Sequence, residues 1–144
     1  RPILRRLSEF GIKVLDNISF AYANINIIGV DDDQSLKSQR EVIRKCRKVE
    51  KFNIAVVHKP FLWGREFADV DLMLTGHTHN GQIFPFNLLV RLQSKFIYGL
   101  YEGFNSWLYV SCGSGCWGPK IRLGSRNEIV LGRILPALKE EVNI

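Results

Sequence analysis

Cysteine is scarce, with three residues, Cys46, Cys112 and Cys116, in a chain of 144. Three thiols cannot build the disulfide framework that small secreted domains rely on, so a reducing compartment is the simple expectation. Long apolar runs are missing as well. The longest, Ile25–Val30 and Phe84–Val90, are the size of a strand or a short core helix, far below the ~20 residues of a membrane-spanning helix. No internal repeat, low-complexity tract or linker interrupts the chain. Methionine occurs once, at Met73, and the chain opens on Arg1-Pro2-Ile3-Leu4, which leads into a charged amphipathic run unlike a signal peptide. Lacking an initiator methionine, the sequence is expected to be processed or a piece of something longer.

A hydrophobic share of 46% and a charged share of 24% are those of an ordinary globular domain, and 144 residues can bury one core. The formal net charge of +6 favours anionic partners: phosphate esters, nucleic acid or acidic lipid headgroups. Basic residues are densest over Arg40–Lys51, but Val42, Ile43, Cys46 and Val49 lie there at core spacing, so a solvated helix face accounts for them. The charge is otherwise scattered. With no aromatic-plus-glycine RNA-binding signature and no zinc-finger spacing, nucleic acid is disfavoured as a partner.

The periodicity predicts a short helix over Pro2–Phe10 with Leu4 and Leu7 on one face, stopped at Gly11. Ile12–Leu15, Ile18–Tyr22 and Ile25–Val30 read as three strands of an antiparallel meander. Ser35 is placed to cap a helix reaching about Lys51, after the acidic turn Asp31-Asp32-Asp33. Asn53–Val57 and Asp71–Thr75 read as buried strands, Trp107–Ser111 and Glu128–Leu135 as further ones. The alternation of strands and helices implies an α/β or α+β unit with a mixed sheet.

All three histidines fall where a buried strand gives way to a loop. His58 follows Ile54-Ala55-Val56-Val57, and His77 and His79 follow Leu72-Met73-Leu74-Thr75-Gly76. Open α/β sheets place their sites at such strand ends. Residues two apart in extended backbone point the same way, so His77 and His79 are expected to face one cavity, with Gly76 and Gly81 allowing sharp turns beside them. Imidazole ligates Zn, Mn, Fe, Co or Ni in its neutral form. A lone histidine more often holds a structural hydrogen bond; a His-x-His between glycines favours a metal. Asn80 and Gln82 are candidates to support those ligands or to satisfy turn backbone.

Gly76-His77-Thr78-His79, preceded by Asp71-Leu72-Met73-Leu74-Thr75, resembles the last signature of the calcineurin-like metallophosphoesterases, and His58 resembles the penultimate one. The extension Asn80-Gly81-Gln82-Ile83-Phe84-Pro85 is similar to a bacterial, often membrane-associated branch. Further matches come in order: Tyr98-Gly99-Leu100-Tyr101, Leu108-Tyr109-Val110-Ser111, Gly113-x-Gly115, Trp117-Gly118-Pro119-Lys120-Ile121-Arg122 and Glu128-Ile129. The resemblance implies a hydrolase of phosphate monoesters or diesters in a four-layer α/β/β/α sandwich, with residues 1–144 as the carboxyl-terminal part of one catalytic domain. It implies two divalent transition metals (Mn, Fe, Zn or Ni), one held by His58 and His77 and the other by His79. The family's Asp-x-His, Gly-Asp-x-x-Asp and Gly-Asn-His-Asp/Glu motifs are absent, and Leu7–Leu15 resembles the family's stretch just downstream of the Gly-Asn-His motif. The implied consequence is an incomplete site, inactive in isolation, whose missing amino-terminal half is a partner.

Arg122 matches a family position and is a candidate for phosphate contact, as is Lys59; a structural salt bridge fits Arg122 equally. His58-Lys59-Pro60-Phe61 departs from the family's His-x-Pro-Asp. The cysteines at 112 and 116 read as free thiols. Trp63, Phe61, Phe84 and Phe86 suit either core packing or an apolar substrate path. The exposed sheet face of a half-sandwich implies self-association. A cytoplasmic location is expected, peripheral to an inner membrane if an upstream segment supplies membrane association. Two other readings stand beside the enzyme: a basic module for nucleic acid or anionic membrane, and a structural fragment with vestigial ligands.

Overall fold

Short β-branched and apolar runs bounded by Asn, Gly and Pro become strands here, and the amphipathic segments between them become helices. A computed structural model of the chain describes residues 2–64 and 69–136, and of residues 2–5 the backbone alone. In chain order the elements are α1 (Pro2–Glu9), β1 (Ile18–Tyr22), β2 (Ile25–Gly29), α2 (Leu36–Cys46), β3 (Phe52–Val56), β4 (Leu72–Thr75), α3 (Phe86–Gln93), β5 (Gly99–Gly103) and β6 (Ser106–Val110). Single 3₁₀ turns follow β3 at Pro60–Leu62 and β4 at His79–Gly81.

The strands form one sheet in the order β1-β2-β3-β4-β6-β5. Its four inner strands are parallel, and β1 and β5 close the two edges antiparallel. The fold is therefore the expected mixed α/β unit, a mixed sheet with flanking helices. On one face Ile28, Ala55, Met73, Leu108 and Val110 are buried under Ile43 of α2 and Leu62 and Trp63 of the 3₁₀ turn. Trp63 stacks edge-on against Phe96 and Phe104 at 5.0 and 5.2 Å, which ties the β5 side to the core. Trp63 thus belongs to the core.

Register places Ile18, Phe20, Ile27, Ile54, Val56, Leu72, Leu74, Trp107 and Leu100 on the opposite face. No helix is laid over it among the described residues, and Ile18, Val56, Trp107 and Leu100 keep 40–59% of their surface exposed. This is an apolar face without a layer above it.

Three expectations fail for identifiable reasons. Ile12–Leu15 is irregular rather than a strand, so the meander reduces to the β1–β2 hairpin. Leu15 instead crosses the end of β2 so closely that a Cβ at Gly29 would collide with its backbone. Helix α2 begins as expected, with the Ser35 hydroxyl capping Ser38 N–H at 3.2 Å, but it ends at Cys46 instead of near Lys51. Beyond Cys46 the backbone is captured by buried Asn53, whose amide donates to Lys48 O (2.9 Å) and Lys51 O (2.7 Å) and accepts from Lys48 N–H (2.9 Å). Glu128–Leu135 is not a strand: it has no ladder partner among the described residues, and Ile129 and Leu131 are 96% and 95% exposed. Phe84–Val90 resolves into a connection and most of α3. Strand β5 is an addition, made by a hairpin turn at Phe104-Asn105, both at φ 55°, as the twist of a two-residue turn requires.

Asn26 completes the buried amide pair, donating to Asn53 Oδ1 at 2.9 Å and Cys46 O at 3.0 Å. Asn53→Ala leaves several buried groups unpaired at once and is expected to destabilise the chain by about 2–3 kcal/mol. Urea unfolding measures this; a loss under about 0.5 kcal/mol would mean that water replaces the amide.

Candidate functional site

The inner strands all run the same way, so their carboxyl ends share one edge, and the three histidines lie along it. His58 stands two residues past β3 and His77 two past β4. The parallel ladder continues beyond both strands: Val57 N–H donates to Leu74 O at 3.0 Å, and Gly76 N–H to His58 O at 3.0 Å. With His58 and Gly76 locked in register, His58 Nε2 comes to 3.0 Å from His77 Nδ1, the rings edge-on at 75°. Both imidazoles are exposed.

Past Gly76 the backbone does not stay extended. His77, His79, Asn80 and Gln82 adopt φ of 71°, 49°, 50° and 40°. Left-handed backbone at residues with a Cβ costs on the order of 1–3 kcal/mol each and survives only where surrounding bonds impose it. Here Thr78 is buried and donates its hydroxyl to Ile97 O. Gly81, at φ 72°, lies against the Asn87 backbone so tightly that no Cβ fits. In consequence His77 and His79 do not face the same way: His77 meets His58, and His79 turns toward Arg122.

Gln82, expected either to support the ligands or to satisfy turn backbone, is buried and bonds backbone as a clamp. Its amide donates to Trp117 O (2.7 Å) and Pro119 O (3.1 Å) and accepts from Trp117 N–H (2.6 Å), binding the glycine-rich loop to the histidine turn. Arg122 reaches back into that loop, donating to Cys112 O (2.7 Å), Gly113 O (3.2 Å) and Gly115 O. The same guanidinium stands 3.3 Å from His79 Nδ1. An arginine only donates, so in this arrangement Nδ1 accepts from Arg122 and the proton of the neutral ring sits on Nε2. Ligation through Nε2 would need that proton on Nδ1 instead, and the arginine keeps three carbonyl acceptors without the imidazole. Lys59 pairs with Asp32 at 2.9 Å, and Asn80 lines a neighbouring cavity.

Electrostatics favour the neutral form of His77 and His79. Partial loss of solvent around an otherwise exposed ring, then the nearby His58 and Lys59, holds His77 below its ordinary value, and partial burial followed by Arg122 does the same for His79. The cavity beside Asn80 has a volume of about 670 Å³, with Tyr98, Cys112, Ser125, Arg126 and Glu128 in its wall. Burial pushes the Glu128 carboxyl up, but hydrogen bonds from Ser111, Cys112 N–H, Tyr98 and Tyr109 outweigh it and hold the group below the usual range. Burial first, and then Glu128, pushes the Tyr109 phenol up to about 12. All three cysteines are free thiols.

No family model matches the chain, and neither does any solved structure. Among curated proteins it is 38% identical over 143 residues to an uncharacterized metallophosphoesterase of Helicobacter pylori, covering 94% of this chain and 39% of that one. A metallophosphoesterase of Campylobacter jejuni is 38% identical over 138 residues, 90% of this chain and 36% of that protein. The chain belongs to the calcineurin-like metallophosphoesterases. It spans little more than a third of the length of these two relatives. A cattle transmembrane protein with a metallophosphoesterase domain is 42% identical over 80 residues, 53% of this chain and 18% of that one.

A metallophosphoesterase site needs converging donors. Among the described residues, no three His, Cys, Asp or Glu side chains converge. His58 and His77 converge as a pair. In this structure the two rings share a hydrogen bond at 3.0 Å, one N–H donating to the other nitrogen. Two imidazole nitrogens ~2.0–2.1 Å from one ion, at tetrahedral to right angles, lie roughly 2.9–3.4 Å apart, so the same separation would suit two ligands of one ion once that shared proton moves to the far nitrogen of its ring. Two nitrogens alone do not complete a metal site; the pair would need further donors to hold an ion.

Neither Glu128 nor the Asp32–Lys59 pair was foreseeable as part of this edge, because their partners are remote in sequence. Because Glu128 is held below its ordinary value, its contribution to stability is complete above the unfolded value near ~4.3 and is lost as pH falls through the folded one. The stability difference between wild type and Glu128→Gln is expected to be open at neutral pH and to close as pH falls below the ordinary carboxylate range. Urea midpoints across that range test it; a difference that ignores pH contradicts the hydrogen-bond account.

Proposed function

We propose that this chain carries the histidine side of a two-metal site for hydrolysis of phosphate esters, as the carboxyl-terminal part of a single catalytic domain. The observation that carries this reading is the 3.0 Å approach of His58 Nε2 to His77 Nδ1 at the sheet's carboxyl edge. In this reading His58 and His77 hold one divalent ion and His79 the second, and the remaining ligands belong to another part of a longer polypeptide. Neutral imidazole suits Mn, Fe, Zn or Ni. When bound, such ions polarise the phosphoryl oxygen and acidify the attacking water.

The chain's own residues hold this arrangement in place. Arg122 and the loop carbonyls orient His79, Gln82 fixes the turn that bears it, and Asn80 shapes the adjoining cavity. Lys59 and Arg122 supply positive charge beside the phosphate, on condition that each exchanges its present partner for it. The open apolar face supports a second sheet packing there, which would complete a four-layer sandwich. The relatives' greater length supports the same arrangement.

The intact protein is expected to contain two transition-metal ions and to hydrolyse bis-p-nitrophenyl phosphate or p-nitrophenyl phosphate. His77→Ala should lower that activity by more than the ~10–100-fold typical of losing a ligand's outer partner. Turnover without metal, or unaffected by His77→Ala, would refute the assignment and move a basic, anion-binding module to the front.

The 144-residue chain by itself is expected to show negligible turnover and to self-associate through its open face in light scattering. Hydrolysis by a monomeric 144-residue chain, lost in His58→Ala/His77→Ala/His79→Ala, would contradict both expectations.

A further inference from the structure

Helix α3 has its apolar side outward. The polar Asn87 lies inward, against Gly81, whereas Leu88, Leu89 and Leu92 are 52%, 54% and 83% exposed. None of its residues is buried. Phe84 and Phe86, at 55% and 61% exposed, extend the patch to the helix's amino end. An ordinary surface helix turns leucines inward; one that turns them outward is an unfilled interface.

The charge around this patch points to its occupant. From Leu72 through Tyr101 the chain has no Asp or Glu, while Arg91 lies on α3 and Lys95 just past it. Leucines and phenylalanines pressed outward, on a stretch of chain that carries Arg91 and Lys95 and no acid, suit a helix that lies in a bilayer interface. A packed protein partner would be served as well by leucine but gains nothing from the missing acids. The open face of the sheet differs: it is flat, made of strands, and carries Glu102 in register with Trp107.

We propose that α3 docks on an anionic lipid surface, with Leu88, Leu89, Leu92, Phe84 and Phe86 inserted at the acyl boundary and Arg91 and Lys95 at the headgroups. Because Asn87 packs directly on Gly81, two residues past His79, docking brings the histidine edge to the membrane surface. The proposal concerns binding alone and does not depend on the metal chemistry proposed above.

The test uses the intact protein and vesicles of phosphatidylcholine with or without phosphatidylglycerol. Wild type is expected to sediment with the anionic vesicles and to be released by salt. Leu88→Ser/Leu89→Ser/Leu92→Ser should bind at least tenfold more weakly with unchanged thermal unfolding, and Arg91→Gln and Lys95→Gln about fivefold more weakly each. Leu92→Trp, at an exposed position, should fluoresce at shorter wavelength on vesicles and be quenched by lipids brominated on the acyl chain. Tryptophan emission indifferent to vesicles, or a triple variant that binds as wild type does, would overturn the proposal. So would a triple variant that unfolds at markedly lower temperature, since α3 would then be covered by the protein itself. Conversion of a wild-type dimer to a monomer by the triple variant would assign the patch to a second copy instead.

Discussion

Two backbone hydrogen bonds, from Val57 N–H to Leu74 O and from Gly76 N–H to His58 O, hold the candidate site together. They extend the β3–β4 ladder past the ends of both strands. Backbone bonds of this kind are rigid, and they leave His58 and His77 little freedom in where their rings emerge. The 3.0 Å nitrogen separation follows from the register. Shifting β4 by one residue would send its buried Met73 and Thr75 to the open face and part the two histidines. Core and site therefore depend on one pairing, and Ile54, Ala55 and Met73 support the ligands as much as any polar neighbour does.

A second layer of control lies in the segment that returns from β6. Apart from an isolated backbone bridge of Leu123 and Gly124 to Ile83 it has no regular structure, and Gln82 and Arg122 bind it to the histidine turn through side-chain bonds to carbonyls and amides. Such a loop gains order from a few buried polar contacts in place of a ladder, and each of those contacts is costly to remove. The left-handed backbone at His77, His79, Asn80 and Gln82 is tolerable because this loop, Thr78 and Gly81 hold it from all sides. His79 consequently faces the loop and not its neighbour two residues away.

Much of this was readable in advance. The buried runs Asn53–Val57 and Asp71–Thr75, the Ser35 cap and the mixed sheet follow from periodicity and turn residues. The histidines stood out by following those runs. What went unread was of another kind. The end of α2 depends on Asn53, the absence of a strand at Ile12–Leu15 on the close passage by Gly29, and the roles of Gln82 and Arg122 on carbonyls 7 to 37 residues distant. Each requires knowing what lies beside a residue in space, and spacing along the chain does not hold that information.

By itself the sequence determined the strand cores, the family resemblance and the candidate ligands, because local patterns of apolar and polar residues are enough to specify them. Tertiary structure alone decided which histidines meet, which way their rings turn and which apolar faces remain uncovered. The physical reason is that a strand's pattern states which face is apolar, whereas contact between side chains depends on register, backbone sign and the path of loops closing from elsewhere.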